Sequence, residues 1–315
     1  MSKVVIETSE LMKKYKNGVT ALQNLNLKIE EGDCVGYLGP NGAGKTTTIK
    51  ILTNLIKPTA GHAYICGIDV NKKPKEALRY VGALVELPGI YEYLTPHELL
   101  TYLGKVRMMS KVNLNRRIKE VLRTVGIPAW EHKKVRSLST GMRQRFLIAQ
   151  ALLHNPEILI MDEPVFGLDP KGMKDIRDVI KQLHKENKTV FLSSHLLHEV
   201  SEICTKVLLL NKGKIVSFDT VDNLTKMSKT HTIKIELLKP PTKKQIAEIK
   251  LIKIIKDINI ADGHLGISFD GERNTCSRIL TELVSLGLKI VSYWPKSMTL
   301  EDIYISIVGE EKGIG

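Results

Sequence analysis

The sequence predicts an α/β protein in two parts, a core over residues 1–222 and a smaller α+β part over 223–315. Three observations carry this. Short apolar runs bounded by turn residues alternate with helical patterns through the first two thirds of the chain. The stretch Gly39-Pro40-Asn41-Gly42-Ala43-Gly44-Lys45-Thr46-Thr47 joins one such run to a helix. After 222–230 the order changes to strand, helix, strand, strand, helix, strand. A length of 315 residues with 43% hydrophobic content suits about two domains with real cores.

Residues 3–38 read as strands. Leu25, Leu27 and Ile29 alternate with Asn26, Lys28 and Glu30, the pattern of a half-buried antiparallel strand. Cys34–Leu38, bounded by Gly32-Asp33, reads as a buried strand, and a helix starts at Thr47. Between them the chain fits G-x-x-x-x-G-K-[ST] at every required position. Gly39, Gly42 and Gly44 are expected to take positive φ and let the backbone approach a ligand. Successive N–H groups then form an anion nest at a helix N-terminus. Lys45 supplies a point charge for β- and γ-phosphates, and the Thr46 hydroxyl is placed to ligate Mg²⁺. Upstream, Tyr15 either stacks on an adenine ring or packs as a surface tyrosine, and its segment alone leaves both open.

Pro58–Gly61 is expected to end this helix. Ala63–Cys66 reads as a strand, and Tyr80–Val85 as a buried strand ending at Glu86. Past a loop at Leu87-Pro88-Gly89 the chain turns helical and basic, with 10 Lys/Arg against 4 Asp/Glu in 87–137. This looks like a helical insertion. Thr95 and Glu98 form a capping-box pattern with Pro96 at the first helical position. Leu99, Leu100, Leu103 and Val106 fall on one face of that helix.

Leu138-Ser139-Thr140-Gly141-Met142 interrupts the insertion before a helix from Arg143 to His154, which Asn155-Pro156 stops. Ile158–Met161 has the composition of a buried parallel strand, and acids at such a strand's C-terminal end face the ligand crevice. Adjacent carboxylates there are costly without a metal or a reaction to use them. Asp162 is assigned to Mg²⁺ and Glu163 to a water. After a turn at Gly167–Pro170, Met173, Ile176, Val179, Ile180 and Leu183 line a helix face. Thr189–Ser193 is the next strand. His195 follows it at the same edge as the two acids and is assigned to a γ-phosphate. Val207–Leu210 and Ile215-Val216 form a hairpin.

Beyond the boundary, strands at 232–238, 251–258, 264–269 and 289–294 and helices at 242–249, 274–286 and 300–308 give a ferredoxin-like order, with a turn at Asp262-Gly263. Nothing in this part carries chemistry.

The net charge of +13 is concentrated in residues 1–222, because 223–315 carries 14 Lys/Arg against 11 Asp/Glu. A basic surface fits an anionic membrane face, nucleotide or nucleic acid. The four cysteines are dispersed without a C-x-x-C pair, which excludes the common zinc and dithiol motifs and suits a reducing compartment. No run of 18 apolar residues and no secretory leader occur, so the expected location is the cytoplasm.

Tyr15, Gly39–Thr47, Glu86, the helical insertion, Leu138-Ser139-x-Gly141, Ile158–Glu163, Gly167-Leu168-Asp169 and His195 occur in an order that resembles the ATP-binding subunit of ABC transporters over residues 4–220. The C-terminal part, with Leu300–Ile305, resembles the daunorubicin-resistance-type branch, mostly exporters. The resemblance implies a P-loop NTPase core, a mixed sheet with antiparallel N-terminal strands and the helical insertion, joined to a small ferredoxin-like domain. It implies ATP and Mg²⁺ as ligands, with Tyr15 on adenine and Thr46, Asp162 and Glu86 around the metal. Glu163 would polarise the attacking water. Ser139 and Gly141 would reach the γ-phosphate of a second cassette in a head-to-tail dimer, with Asp169 at that interface. It further implies separate transmembrane permease subunits and a peripheral position on the cytoplasmic face of the cell membrane. Two positions depart from the family's pattern. L-S-G-G-Q reads Leu138-Ser139-Thr140-Gly141-Met142, and Glu86 stands where glutamine is usual. A soluble ABC-type ATPase acting on ribosomes or nucleic acid is the alternative. One phosphate loop and no sustained heptads speak against it, so no nucleic-acid partner is expected. A phosphotransferase would leave Ser139, Gly141 and His195 unexplained.

Overall fold

The computed structural model describes residues 3–86, 91–227, 231–261 and 264–296. The expected loop at Leu87–Gly89, the turn at Asp262-Gly263 and the helix 300–308 with its Leu300–Ile305 stretch lie outside these residues. The chain divides into two compact units, Met1–Thr220 and Val221–Gly315.

The first unit opens with β1 (Val4–Lys14), β2 (Thr20–Glu30) and β3 (Cys34–Leu38), followed by α1 (Lys45–Leu52). Next come β4 (Ala60–Ile65), β5 (Ile68–Asp69), α2 (Pro74–Ala77) and β6 (Val81–Leu84). The insertion supplies α3 (Pro96–Val106) and α4 (Lys111–Thr124). Then follow α5 (Thr140–Leu152), β7 (Ile158–Met161), α6 (Pro170–Lys185), β8 (Thr189–Ser194), α7 (Leu197–Ile203), β9 (Lys206–Asn211) and β10 (Lys214–Thr220).

The N-terminal strands do not extend the central sheet. They form an antiparallel sheet of their own, ordered β2-β1-β4-β5, beside a six-stranded sheet ordered β10-β9-β3-β8-β7-β6. In the latter β3, β6, β7, β8 and β9 run parallel and β10 is antiparallel. β3, β7 and β8 are buried along their whole length, as continuous apolar runs require. One core joins the two sheets around α1, with Ile6 and Leu25 from the first, Ile49 and Ile51 from the helix, and Tyr37, Ile160 and Phe191 from the second. The Tyr37 hydroxyl shares a 3.0 Å hydrogen bond with Thr48, and burial pushes its pKa well up.

Three sequence expectations shift in this unit. The first helix ends at Leu52 rather than at Pro58–Gly61, because Thr53 caps it, donating its hydroxyl to the Ile49 carbonyl at 2.8 Å, and Asn54 turns left-handed. Val106 is 62% exposed, so the buried face of α3 stops short of its last residue. Helix α5 starts at Thr140, three residues before Arg143, since the Ser139 hydroxyl accepts the Met142 N–H as an N-cap. The capping box at Thr95–Glu98 forms as expected.

The second unit opens with α8 (Val221–Met227), then β11 (His231–Leu237), α9 (Lys243–Lys250), β12 (Asp257–Ala261), β13 (His264–Phe269), α10 (Arg273–Ser285) and β14 (Ile290–Lys296). Its antiparallel sheet is ordered β12-β13-β11-β14, and Ile235, Ile267, Ile279 and Leu283 lie in its own core. The strand expected from residue 251 begins only at Asp257. Turn bonds from Ile252 N–H to Ile249 and from Ile255 N–H to Ile252 use the backbone before it.

Candidate functional site

The glycine loop runs from the end of β3 into the start of α1, and its backbone follows from its sequence. Gly42 and Gly44 have φ of 81° and 112°, conformations that L side chains rarely adopt. Gly39 is needed for a different reason than expected. Its φ is not positive, but a Cβ there would lie 2.4 Å from the Leu210 carbonyl oxygen. Ala43 packs in the core and pins the loop to the β9–β10 turn through the Gly213 N–H, which donates to its carbonyl at 2.9 Å.

Lys45, with a side chain 7% exposed, donates to the carbonyls of Gly39 at 2.7 Å and Pro40 at 3.3 Å. Its Nζ lies 3.9 Å from Glu163 Oε1. Burial pulls its pKa below the usual lysine value, and the charges of Glu163 and Asp162 oppose that shift. The ammonium is therefore held beside acids that favour its charged form.

Asp162 and Glu163 follow β7, whose neighbour β8 ends next to them. The buried Ser193 on β8 donates its hydroxyl to Asp162 Oδ1 and accepts the Glu163 N–H at 3.0 Å. One serine thus orients both acids. Nothing in Thr189–Ser194 marked it beforehand, because its side chain is told apart only by the neighbour it faces. Glu163 takes the left-handed region at φ 48°, uncommon for a non-glycine residue. Its Oε2 lies 2.8 Å from His195 Nδ1. The Phe166 ring meets His195 edge-on at 5.6 Å.

Lys45, Glu163 and His195 line one cleft of about 480 Å³, with Tyr15, Pro40, Asn41, Gly42, Gly44, Thr46, Thr47 and Phe166 also in its wall; Asp162, the residue before Glu163, lies outside that lining. Phe166, a largely exposed aromatic three residues past Glu163, is a lining residue that sequence reasoning missed. The Tyr15 hydroxyl shares a 3.2 Å bond with Thr47 Oγ1, and Lys13 Nζ lies 5.4 Å from its ring centre.

Ser139, Gly141 and Asp169 line a second hollow of about 510 Å³ that shares no residue with the first. Asp169 caps α6 by accepting the Gly172 N–H at 3.0 Å. The side chains that cap α5 and α6 thus both belong to this hollow.

Glu86 is not brought to the cleft. It forms an ion pair with Lys50, is 62% exposed and has φ of 56°. Lys50 lies on α1 four residues after Thr46, and it holds the carboxylate that the sequence suggested for the metal. Titrating Mg²⁺ against nucleotide affinity is accordingly expected to give superimposable curves for the wild type and Glu86→Gln. A markedly altered Mg²⁺ requirement in Glu86→Gln would return Glu86 to the metal.

The chain is similar to known proteins. The family model described as ABC transporter matches residues 22–166. A second, described as an AAA domain and putative AbiEii toxin, matches residues 133–201. The chain is 37% identical to the bacitracin transport ATP-binding protein BcrA of Bacillus licheniformis, over 97% of each chain. It is 27% identical to the linearmycin resistance ATP-binding protein LnrL of Bacillus subtilis, over 96% of this chain and 97% of the relative. Among solved structures, the dimeric post-hydrolysis state of the ATP-binding cassette MJ0796 bound to ADP and Pi is similar at a TM-score of 0.61. It is 29% identical and covers 68% of this chain and 98% of its own.

Proposed function

The chain belongs to the ABC transporter family as an ATP-binding, ATP-hydrolysing subunit, and on that premise we propose that it powers an exporter whose membrane-spanning subunits are separate chains. One observation carries the site assignment. Lys45 at the start of α1, Glu163 just past β7 and His195 just past β8 converge within hydrogen-bond or ion-pair distance. Open α/β sheets bind ligands outside the carboxyl ends of their strands.

The loop N–H groups of Gly42–Thr47 receive the triphosphate, and Lys45 bridges its β- and γ-phosphates. Thr46 and Asp162 offer the hard oxygen donors that suit Mg²⁺, and Ser193 keeps Asp162 oriented for that task. Bound Mg²⁺ would neutralise charge on the β- and γ-oxygens. Glu163 accepts the proton of the attacking water. His195 holds the Glu163 carboxylate in place and contacts the γ-phosphate. Tyr15 stacks on adenine, its ring steadied by Thr47 and Lys13.

Ser139 and Gly141 act on the nucleotide of a second cassette in a head-to-tail dimer, with Asp169 at the interface. Their placement in a hollow separate from the chain's own glycine loop supports this. Residues 1–222 form the ATPase domain, and 223–315 is an accessory domain that regulates docking or dimerisation. An apolar cleft of about 330 Å³, lined by Val85, Leu103, Leu147 and Arg107, lies where the insertion meets β6 and suits a helix of a membrane subunit. No described helix is long and apolar enough to cross a membrane. The subunit sits on the cytoplasmic face through its partners. Export is supported by the whole-length similarity to relatives named for bacitracin transport and linearmycin resistance.

The tagged chain is expected to co-purify with a multi-span membrane protein and to hydrolyse ATP faster with it in a bilayer. Co-purification with ribosomes, and stimulation by them alone, would favour the soluble alternative instead.

A further inference from the structure

The helical insertion holds a cluster of metal-ligand type that the nucleotide chemistry does not use. His97 lies in the first turn of α3, and Glu131 and His132 follow the short turn Pro128–Trp130. His97 Nδ1 is 2.9 Å from Glu131 Oε1, and His132 Nε2 is 3.8 Å from the same oxygen. One donor atom from each residue lies within 4.8 Å of the other two. Zinc bonds of about 2.0–2.2 Å put neighbouring donors of a tetrahedral site roughly 3.3–3.6 Å apart. The two distances to Glu131 bracket that value. The remaining adjustment falls on His132, whose side chain is 75% exposed and can turn.

The backbone already holds the two segments together. The His97 N–H donates to the Glu131 carbonyl at 3.0 Å, and the imidazoles of His97 and His132 lie 5.2 Å apart. Two imidazoles and a carboxylate, with a fourth position left to water, form a donor set for zinc rather than for Mg²⁺ or Ca²⁺. The surroundings work partly against a cation. Lys133 and Lys134 follow His132, and the N-terminal end of α3 is the positive end of its dipole. Glu131 and the capping Glu98 offset this, and Lys133 is drawn over the Trp130 ring at 4.5 Å.

We propose that His97, Glu131 and His132 bind a transition-metal ion of the Zn²⁺ class, which clamps the start of α3 to the turn at 131–132. Binding replaces the His97–Glu131 hydrogen bond with metal bonds and recruits His132.

The test uses the full chain without nucleotide, titrated with Zn²⁺ and, separately, with Co²⁺, whose visible absorption reports tetrahedral coordination. One equivalent is expected, weakened at least about tenfold by His132→Ala and by Glu131→Gln. Zn²⁺ should also slow amide hydrogen exchange at Thr95, His97 and Glu98 and at 130–133 in the wild type, and not in His132→Ala. Because His132 is exposed, that substitution should leave the fold and ATP binding intact. The cleft with Thr46, Glu163 and His195 is a competing place for a transition ion, and an equivalent that survives both substitutions belongs there. If that is the only equivalent, or if micromolar metal gives no tetrahedral Co²⁺ spectrum, the proposal is overturned.

Discussion

Glu163→Gln is expected to reduce ATP turnover by roughly 10²–10⁴-fold while ATP binding is kept. The amide preserves the shape of the side chain but is a poor proton acceptor. The hydrogen bond with His195, 2.8 Å in the wild type, can persist with either partner donating, so the imidazole should hold its place. The Glu163 N–H bond to Ser193 comes from the backbone and is untouched, so the left-handed turn should survive. Nucleotide affinity should not fall, because the substitution removes a negative charge facing the triphosphate. Bound but unhydrolysed ATP should then accumulate the paired cassette, visible as an ATP-dependent dimer in sedimentation or size exclusion. Hydrolysis at the wild-type rate would remove Glu163 from its role as base. A loss of ATP binding would point instead to a structural role for the carboxylate next to Lys45.

How much of this was legible in the chain depends on the kind of signal. The glycine loop and the Asp162-Glu163 pair were readable because their chemistry is local. A nest needs consecutive N–H groups, and a strand-end acid pair needs only the strand before it. Ser193 was not readable, because its function is defined by the residues across the sheet and β8 looks like any buried strand. The Lys50–Glu86 pair was missed for the same reason, being 36 residues apart in sequence. The division of the N-terminal strands into their own sheet was also hidden. Alternating burial fixes which face of β2 is covered, but not which sheet it joins. Ser139 was read through family resemblance alone. Its hydroxyl was free to be recognised as the N-cap of α5, with the Met142 N–H at the distance in sequence that caps require.

Lys45→Ala should weaken ATP binding by roughly 10–150-fold, the equivalent of about 1.5–3 kcal/mol for a lost charge-assisted contact. The size follows from the lysine's setting. Its ammonium is already withdrawn from water, so a phosphate that replaces the Gly39 and Pro40 carbonyls gains a partner with little left to desolvate. Burial lowers its pKa, but Glu163 and Asp162 support the charge. Removing the ammonium also leaves those two carboxylates facing the triphosphate without a cation between them, so turnover should drop more than affinity. The fold should tolerate the change: the Gly39 and Pro40 carbonyls lose a donor, but Gly42, Gly44 and the Gly213–Ala43 bond still hold the loop. Lys45→Arg should rescue little. A planar guanidinium cannot reproduce a compact ammonium between two carbonyls in a buried pocket. Calorimetry with ATP, run beside thermal unfolding, separates the cases. A normally folded Lys45→Ala protein with unchanged ATP affinity would contradict the assignment of residues 39–47 to the phosphates.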